Sequence, residues 1–166
     1  MRRTGVVVSA LLTMSLLSGC SASVDGWVGV TVDEQGEVVI LVQACNLSFE
    51  WLEVNGVEIG VLEASEEPTY ADGSRWVADP TVEAGTFTQV SAISSSAPWS
   101  LETAPATFED GFSYSVHAGL DSWGRAHRSW GANFTPEGLA QLRPGQVLPP
   151  FGDVMSLEQF QSTACS

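Results

Sequence analysis

The chain has no lysine; its six basic residues are arginines, set against twenty acidic ones for a formal net charge of -14. That balance excludes polyanionic partners, because DNA, RNA or an anionic lipid surface would be repelled by the protein's own field. Histidine is scarce too, with His117 and His127 the only two, so any imidazole relay has to use them. The three cysteines, Cys20, Cys45 and Cys165, lie far apart, which excludes the Cys-x-x-Cys spacing of redox pairs and the cysteine clusters of zinc sites. Beyond the first twenty residues the only methionine is Met155, too few for a methionine-rich copper site. Gly-x-Ser-x-Gly, His-Glu-x-x-His and phosphate-cradling glycine loops are missing as well. The longest apolar run, Val6 to Leu17, is interrupted only by Ser9, Thr13 and Ser15. It is shorter than the roughly 20 residues a helix needs to cross a bilayer.

What is present at the amino end has a recognisable order. Arg2 and Arg3 precede the apolar run, and two small residues follow it, the three-part layout of an export signal. The ending Leu17-Ser18-Gly19-Cys20 resembles the lipobox of bacterial lipoproteins, an aliphatic residue and two small ones before a cysteine. The resemblance implies a diacylglyceryl thioether on Cys20, cleavage just before it, and acylation of the new amino group. Each buried methylene contributes about 0.8 kcal/mol, so two or three acyl chains hold a protein stably where one does not. The expected organisation is a signal peptide over 1–19, a lipidated tether over 20–25, and a single domain over 26–166. The expected location is the extracytoplasmic face of the cell membrane, reached through the lipid on Cys20. Loss of Arg2 and Arg3 leaves four arginines against twenty acids, a charge of 4 − 20 = −16. With Cys20 taken by lipid, Cys45 and Cys165 remain, and export to an oxidising compartment predicts a disulfide between them. It would close a loop of roughly 120 residues, for which chain entropy gives an upper contribution of about 5 kcal/mol.

Taken in order, the domain opens with Trp27 to Val32, where Val28, Val30 and Val32 alternate with Trp27, Gly29 and Thr31, the period of a half-buried strand. Asp33-Glu34-Gln35-Gly36 predicts a turn. Val38 to Val42 is apolar on both faces, which predicts a central strand covered from both sides. Asn55-Gly56 predicts a two-residue hairpin turn between Phe49–Val54 and Val57–Leu62, with Glu53 opposite Glu58. Ala64 to Pro80 reads as turn-rich, with Arg75-Trp76-Val77 a short strand; Thr86 to Ile93 reads as a strand and Ser94 to Thr107 as a loop. Gly111 to Leu120 alternates cleanly and Ala126 to Phe134 less so. Pairing Leu120 with Ala126 puts His117 and His127 on one polar face, about 7 to 8 Å apart, and Arg128 on the apolar one. Thr135-Pro136 starts a helical turn, and Ser156-Leu157-Glu158-Gln159 fits a capping box. The tail helix after it would bring Cys165 to Cys45. Many short strands with helix only near the end predict a mainly β fold, an antiparallel β-sandwich of broadly immunoglobulin-like architecture with short C-terminal helical segments.

The candidate chemistry is sparse. His117 and His127 on one face, with a nearby carboxylate, are the candidates for capturing a transition metal. Trp123 beside Arg125 is the candidate stacking surface for a sugar or a partner, and Trp130 is expected in the core. Paired carboxylates would suit a small glycan-acting hydrolase, but no pair has an identifying spacing. The expected function is a non-catalytic binding or interaction module at the cell envelope, with an envelope protein or glycan as partner, no nucleic acid and no cofactor.

Overall fold

The computed structural model describes residues 25–60, 67–122 and 125–166, and for 121, 122 and 125–127 the backbone alone. Cys20 and the whole signal therefore lie outside the described residues. The strands are β1 (Gly26–Val32), β2 (Val38–Ala44), β3 (Phe49–Glu58), β4 (Tyr70–Val82), β5 (Phe87–Ser91) and β6 (Trp99–Leu101). They continue with β7 (Phe112–Ser122), β8 (Arg125–Arg128), β9 (Trp130–Gly131) and β10 (Asn133–Phe134). Helix α1 (Pro136–Leu139), β11 (Gln146–Leu148), β12 (Met155–Ser156) and α2 (Leu157–Thr163) complete the chain. One sheet has the order β12-β11-β1-β2-β5 with β9 also on β1; the other has β10-β7-β3-β4-β6 with β8 on β7. Neighbours are antiparallel except β9, which runs parallel to β1. The fold is a mainly β sandwich, as the alternating pattern predicts.

Between the sheets lie Val28, Val30, Ile40 and Val42 from the first and Leu52, Val54, Trp76, Tyr114 and Val116 from the second. Their alternation with outward residues is the period of two that buries one face of each strand. A second, smaller cluster of Leu41, Val147 and Phe160 lies on the opposite face of the first sheet, under α2. It explains why β2 is apolar on both sides. The capping box at Ser156 is formed, its hydroxyl accepting from the Gln159 N–H and the Gln159 side chain accepting from the Ser156 N–H. The Cys45–Cys165 disulfide is also formed, with the Cα atoms 5.3 Å apart.

Four local expectations are overturned. Asn55-Gly56 is not a hairpin turn: β3 runs through it, and Glu58 pairs with Phe112 at the far end of an unbroken ladder to β7. Glycine is required there for closeness rather than for turning, because a Cβ on Gly56 would stand 2.6 Å from the Tyr114 ring. Glu53 consequently faces Arg75 and His117 on its neighbours, and not Glu58. The acidic stretch before Pro80 is no chain of turns either; from Tyr70 it is a 13-residue strand. Its inward Ser74 and Trp76 are buried by the other sheet, which outweighs weak β propensity. Ser94 to Thr107 contains the edge strand β6. Finally, the run from Ala126 to Phe134 is three strands rather than one. Ala132 donates to the Val28 carbonyl of one sheet at 2.9 Å and accepts from the Val116 N–H of the other at 3.1 Å. The chain changes sheets at that residue.

Candidate functional site

The register of β7 with β8 differs by one residue from the expected one: Leu120 pairs with His127 and Gly119 with Arg128. A slip of one residue exchanges the faces of a strand. In the backbone register position 127 thus shares a face with Leu120 and position 117 lies on the other, where the expected register puts both on one. The same slip removes the difficulty of an arginine on the apolar side, since Arg128 now falls on the outer face with His117. Among the described residues no three His, Cys, Asp or Glu side chains converge as a metal site. Trp123 lies outside the described residues, and of Arg125 only the backbone, paired with Ser122, is described.

That outer face of the second sheet holds a polar cluster centred on Trp51. Trp51 pairs with Gly119, and Gly119 with Arg128, so the glycine leaves a path for Arg128 to reach the indole. Its guanidinium stands 5.7 Å from the ring centre, and that of Arg75 stands 5.5 Å from it. Between them they leave Trp51 only 4 % exposed although it faces outward. Arg75 also pairs with Glu53, and through Nε with Glu102 at 3.1 Å. Its guanidinium fills the space between these two carboxylates, where a hydrolase would need its scissile bond. His117, opposite Glu53, has a buried Nδ1 without a hydrogen-bond partner. Burial, and then the Arg128 charge, push its pKa below the usual imidazole value, while the Ser129 backbone and Glu53 pull the other way. The charged groups of the cluster are engaged with one another, while the buried Trp51 Nε1 and His117 Nδ1 have no hydrogen-bond partner.

The outer face of the first sheet is different, because α2 covers it only in part. Helix α2 crosses at Gly29, where a Cβ would meet the Phe160 ring at 2.8 Å and Val147 at 2.9 Å. At its amino end a cleft of about 280 Å³ stays open, with a floor of Val39, Leu41, Val147 and Leu157. Asp33 and Glu34 of the β1–β2 turn stand at its lip. Asp33 is held in place, its Oδ1 accepting from the Gln35 and Glu37 N–H groups at 2.9 and 2.8 Å. Drug-sized ligands occupy roughly 300–1,000 Å³, so this cleft suits one or two side chains rather than a whole cofactor. No family model, curated protein or solved structure matches this chain. The cleft therefore has to be understood from its own chemistry, an apolar seat with negative charge beside it.

Sequence reasoning did not single out this site. The two-faced apolar run of β2 and the capping box of α2 pointed to something covering Leu41, but not to how much of it the helix leaves open. Trp130, expected in the core, is 43 % exposed. Trp130 belongs to β9, which has already left the second sheet and pairs with β1 of the first, with Trp130 beside Trp27.

Proposed function

We propose that the protein is held at the extracytoplasmic face of the cell membrane by lipid on Cys20 and works there as a non-catalytic binding module. The cleft beside α2 takes an apolar side chain from a basic segment of an envelope protein. The observation that carries this reading is the juxtaposition of the apolar floor with Asp33 and Glu34 on a chain of formal charge -14. A basic partner is drawn in by the field and fixed by the buried side chain, long-range attraction serving encounter and the apolar contact serving residence. The lipobox-like Leu17-Ser18-Gly19-Cys20 supports the anchor.

Two measurements test it. Intact mass of the protein recovered from its host should show loss of residues 1–19 and a diacylglyceryl group on Cys20; an unprocessed start or a bare thiol refutes the anchor. For the cleft, short basic peptides carrying one central leucine are titrated against the wild type, against Val39→Phe, which fills the floor, and against Asp33→Asn with Glu34→Gln. The amide introduced at position 33 keeps the oxygen that holds the turn. Both variants should bind about tenfold more weakly, the loss expected for one apolar anchor or one charge pair. Equal affinity in all three would remove the cleft from the function.

A further inference from the structure

The strand that opens the domain also carries an exposed aromatic ridge. Trp27 pairs with Gln43 on one side and with Trp130 on the other. Trp130 is 43 % and Phe151 53 % exposed, and their ring centres are 4.9 Å apart. Phe151 stands 6.4 Å from Trp27, which in turn stands 6.0 Å from the fully buried Phe160. The exposed rings are thus rooted in the cluster beneath α2. Side chains of this size are left in water at a cost, and contiguous ones mark a contact surface.

Where the chain comes from identifies the contact. The described residues begin at Asp25, whose carbonyl accepts from the Cys45 N–H at 3.0 Å. Cys20 is seven residues before Trp27, at most about 25 Å of extended chain. Resting on the lipid-anchor reading above, we propose that Trp130 and Phe151 form a second membrane contact, lying in the headgroup layer of the bilayer in which Cys20 is anchored. Tryptophan is suited to that layer, its body apolar and its N–H free to meet water or headgroups. The ridge carries no charge of its own, and a polyanionic chain cannot be drawn to lipid electrostatically, so the contact is aromatic and not basic. It need not be strong, because the tether raises the local concentration of bilayer to the millimolar range or above and a weak contact is then occupied. The seven residues of β1 then rise away from the membrane by about 3.3 Å each. They carry the β1–β2 turn and the cleft to the end facing outward.

The test uses the full chain after lipidation, checked by intact mass and by co-sedimentation with phosphatidylcholine vesicles. Indole fluorescence is compared in vesicles with and without phospholipid brominated along the acyl chain, for the wild type and for Trp130→Phe, and the difference between the two proteins isolates Trp130. That difference signal should fall at least about twofold with brominated lipid, as for an indole at the depth of an interfacial side chain. Phe151→Ser keeps every indole but removes a ring that touches Trp130 and Trp27, so it is read as the ratio of its own signals in brominated and plain lipid; that ratio should show the quenching relieved, with sedimentation unchanged. A lipidated, sedimenting protein whose Trp130 signal is the same in both lipids overturns the second contact alone. A chain that reaches the envelope without lipid overturns the anchor, and this inference with it.

Discussion

The seating of α2 over Gly29 gives the sharpest quantitative expectation, because one glycine, one phenylalanine and the cleft wall meet there. An alanine Cβ at position 29 would lie 2.8 Å from Phe160 Cε2, 2.9 Å from Val147 Cγ1 and 3.2 Å from the Leu148 carbonyl. Comfortable carbon contacts are about 3.5–4.0 Å, so the methyl overlaps the ring by close to an ångström. The helix must lift or the strand must bend. Overpacking of this kind costs about 1–3 kcal/mol. Phe160→Ala, which empties a fully buried site, should cost about 3–5 kcal/mol.

The informative quantity is the double variant. Once the ring is gone, the methyl at position 29 enters the space it left, and only the Val147 and Leu148 contacts remain to oppose it. Gly29→Ala should then cost less than in the wild type, since the ring no longer opposes the methyl while Val147 Cγ1 at 2.9 Å and the Leu148 carbonyl at 3.2 Å still do, offset in part by the roughly 0.4–1 kcal/mol that alanine gains over glycine by restricting the unfolded chain. The cycle should show a favourable coupling of about 1–2 kcal/mol, well outside the roughly 0.5 kcal/mol within which independent sites add. Urea unfolding of the four oxidised proteins, followed by far-ultraviolet circular dichroism, measures it. Additive effects within that margin would refute the placement of α2 on β1. The part of the cleft floor formed by Leu157 and Val147 would fall with it.

Three further expectations follow from single sites. His117, whose pKa burial and then Arg128 lower, is protonated in the unfolded chain before it is protonated in the folded one. Its contribution is fully present above about pH 6.5, is lost as pH falls from there towards the folded value, and changes no further below it; His117→Gln should flatten that part of the stability–pH curve, and an unchanged curve would show the histidine to be solvated. Cys45→Ser with Cys165→Ser should lower stability by about 2–5 kcal/mol without changing the far-ultraviolet spectrum, and the wild type should show no reactive thiol from either cysteine before reduction. Gly56→Ala should destabilise by about 1–3 kcal/mol by displacing the Tyr114 ring, whose hydroxyl accepts from the Glu109 N–H at 2.8 Å; thermal unfolding midpoints decide it, and a tolerated alanine would mean the ring has room.

Patterns that depend on one strand and its own faces are legible in the sequence. The alternation of Val28, Val30 and Val32, the two-sided apolarity of β2, the capping box at Ser156 and the clasp of Cys45 with Cys165 all follow from local periodicity or from counting. What cannot be read there is what depends on a neighbour. Asn55-Gly56 has the composition of a turn, yet Gly56 is small because Tyr114 from another strand presses against it. The histidine register failed by one residue, and one residue is enough to move a side chain through the sheet. The expected register puts Trp130 inward opposite Val116, while the real chain crosses to the first sheet at β9 and sets Trp130 beside Trp27. The cluster of Trp51, Arg75 and Arg128 brings together three strands and has no sequence signature at all.

Helix α2 links the features on which the proposed binding rests. Its first residue, Leu157, lines the cleft; its middle residue, Phe160, roots Trp27 and through it the exposed ridge; and two residues past its end Cys165 is tied to Cys45 beside the start of β1. A seven-residue helix is too short to be stable alone, so its position is set by the capping box, the buried ring and the disulfide together. Loosening any one of them shifts both ends. A change at the ridge is therefore mechanically continuous with the floor of the cleft. The cleft keeps its shape only while the clasp of Cys45 with Cys165 is closed.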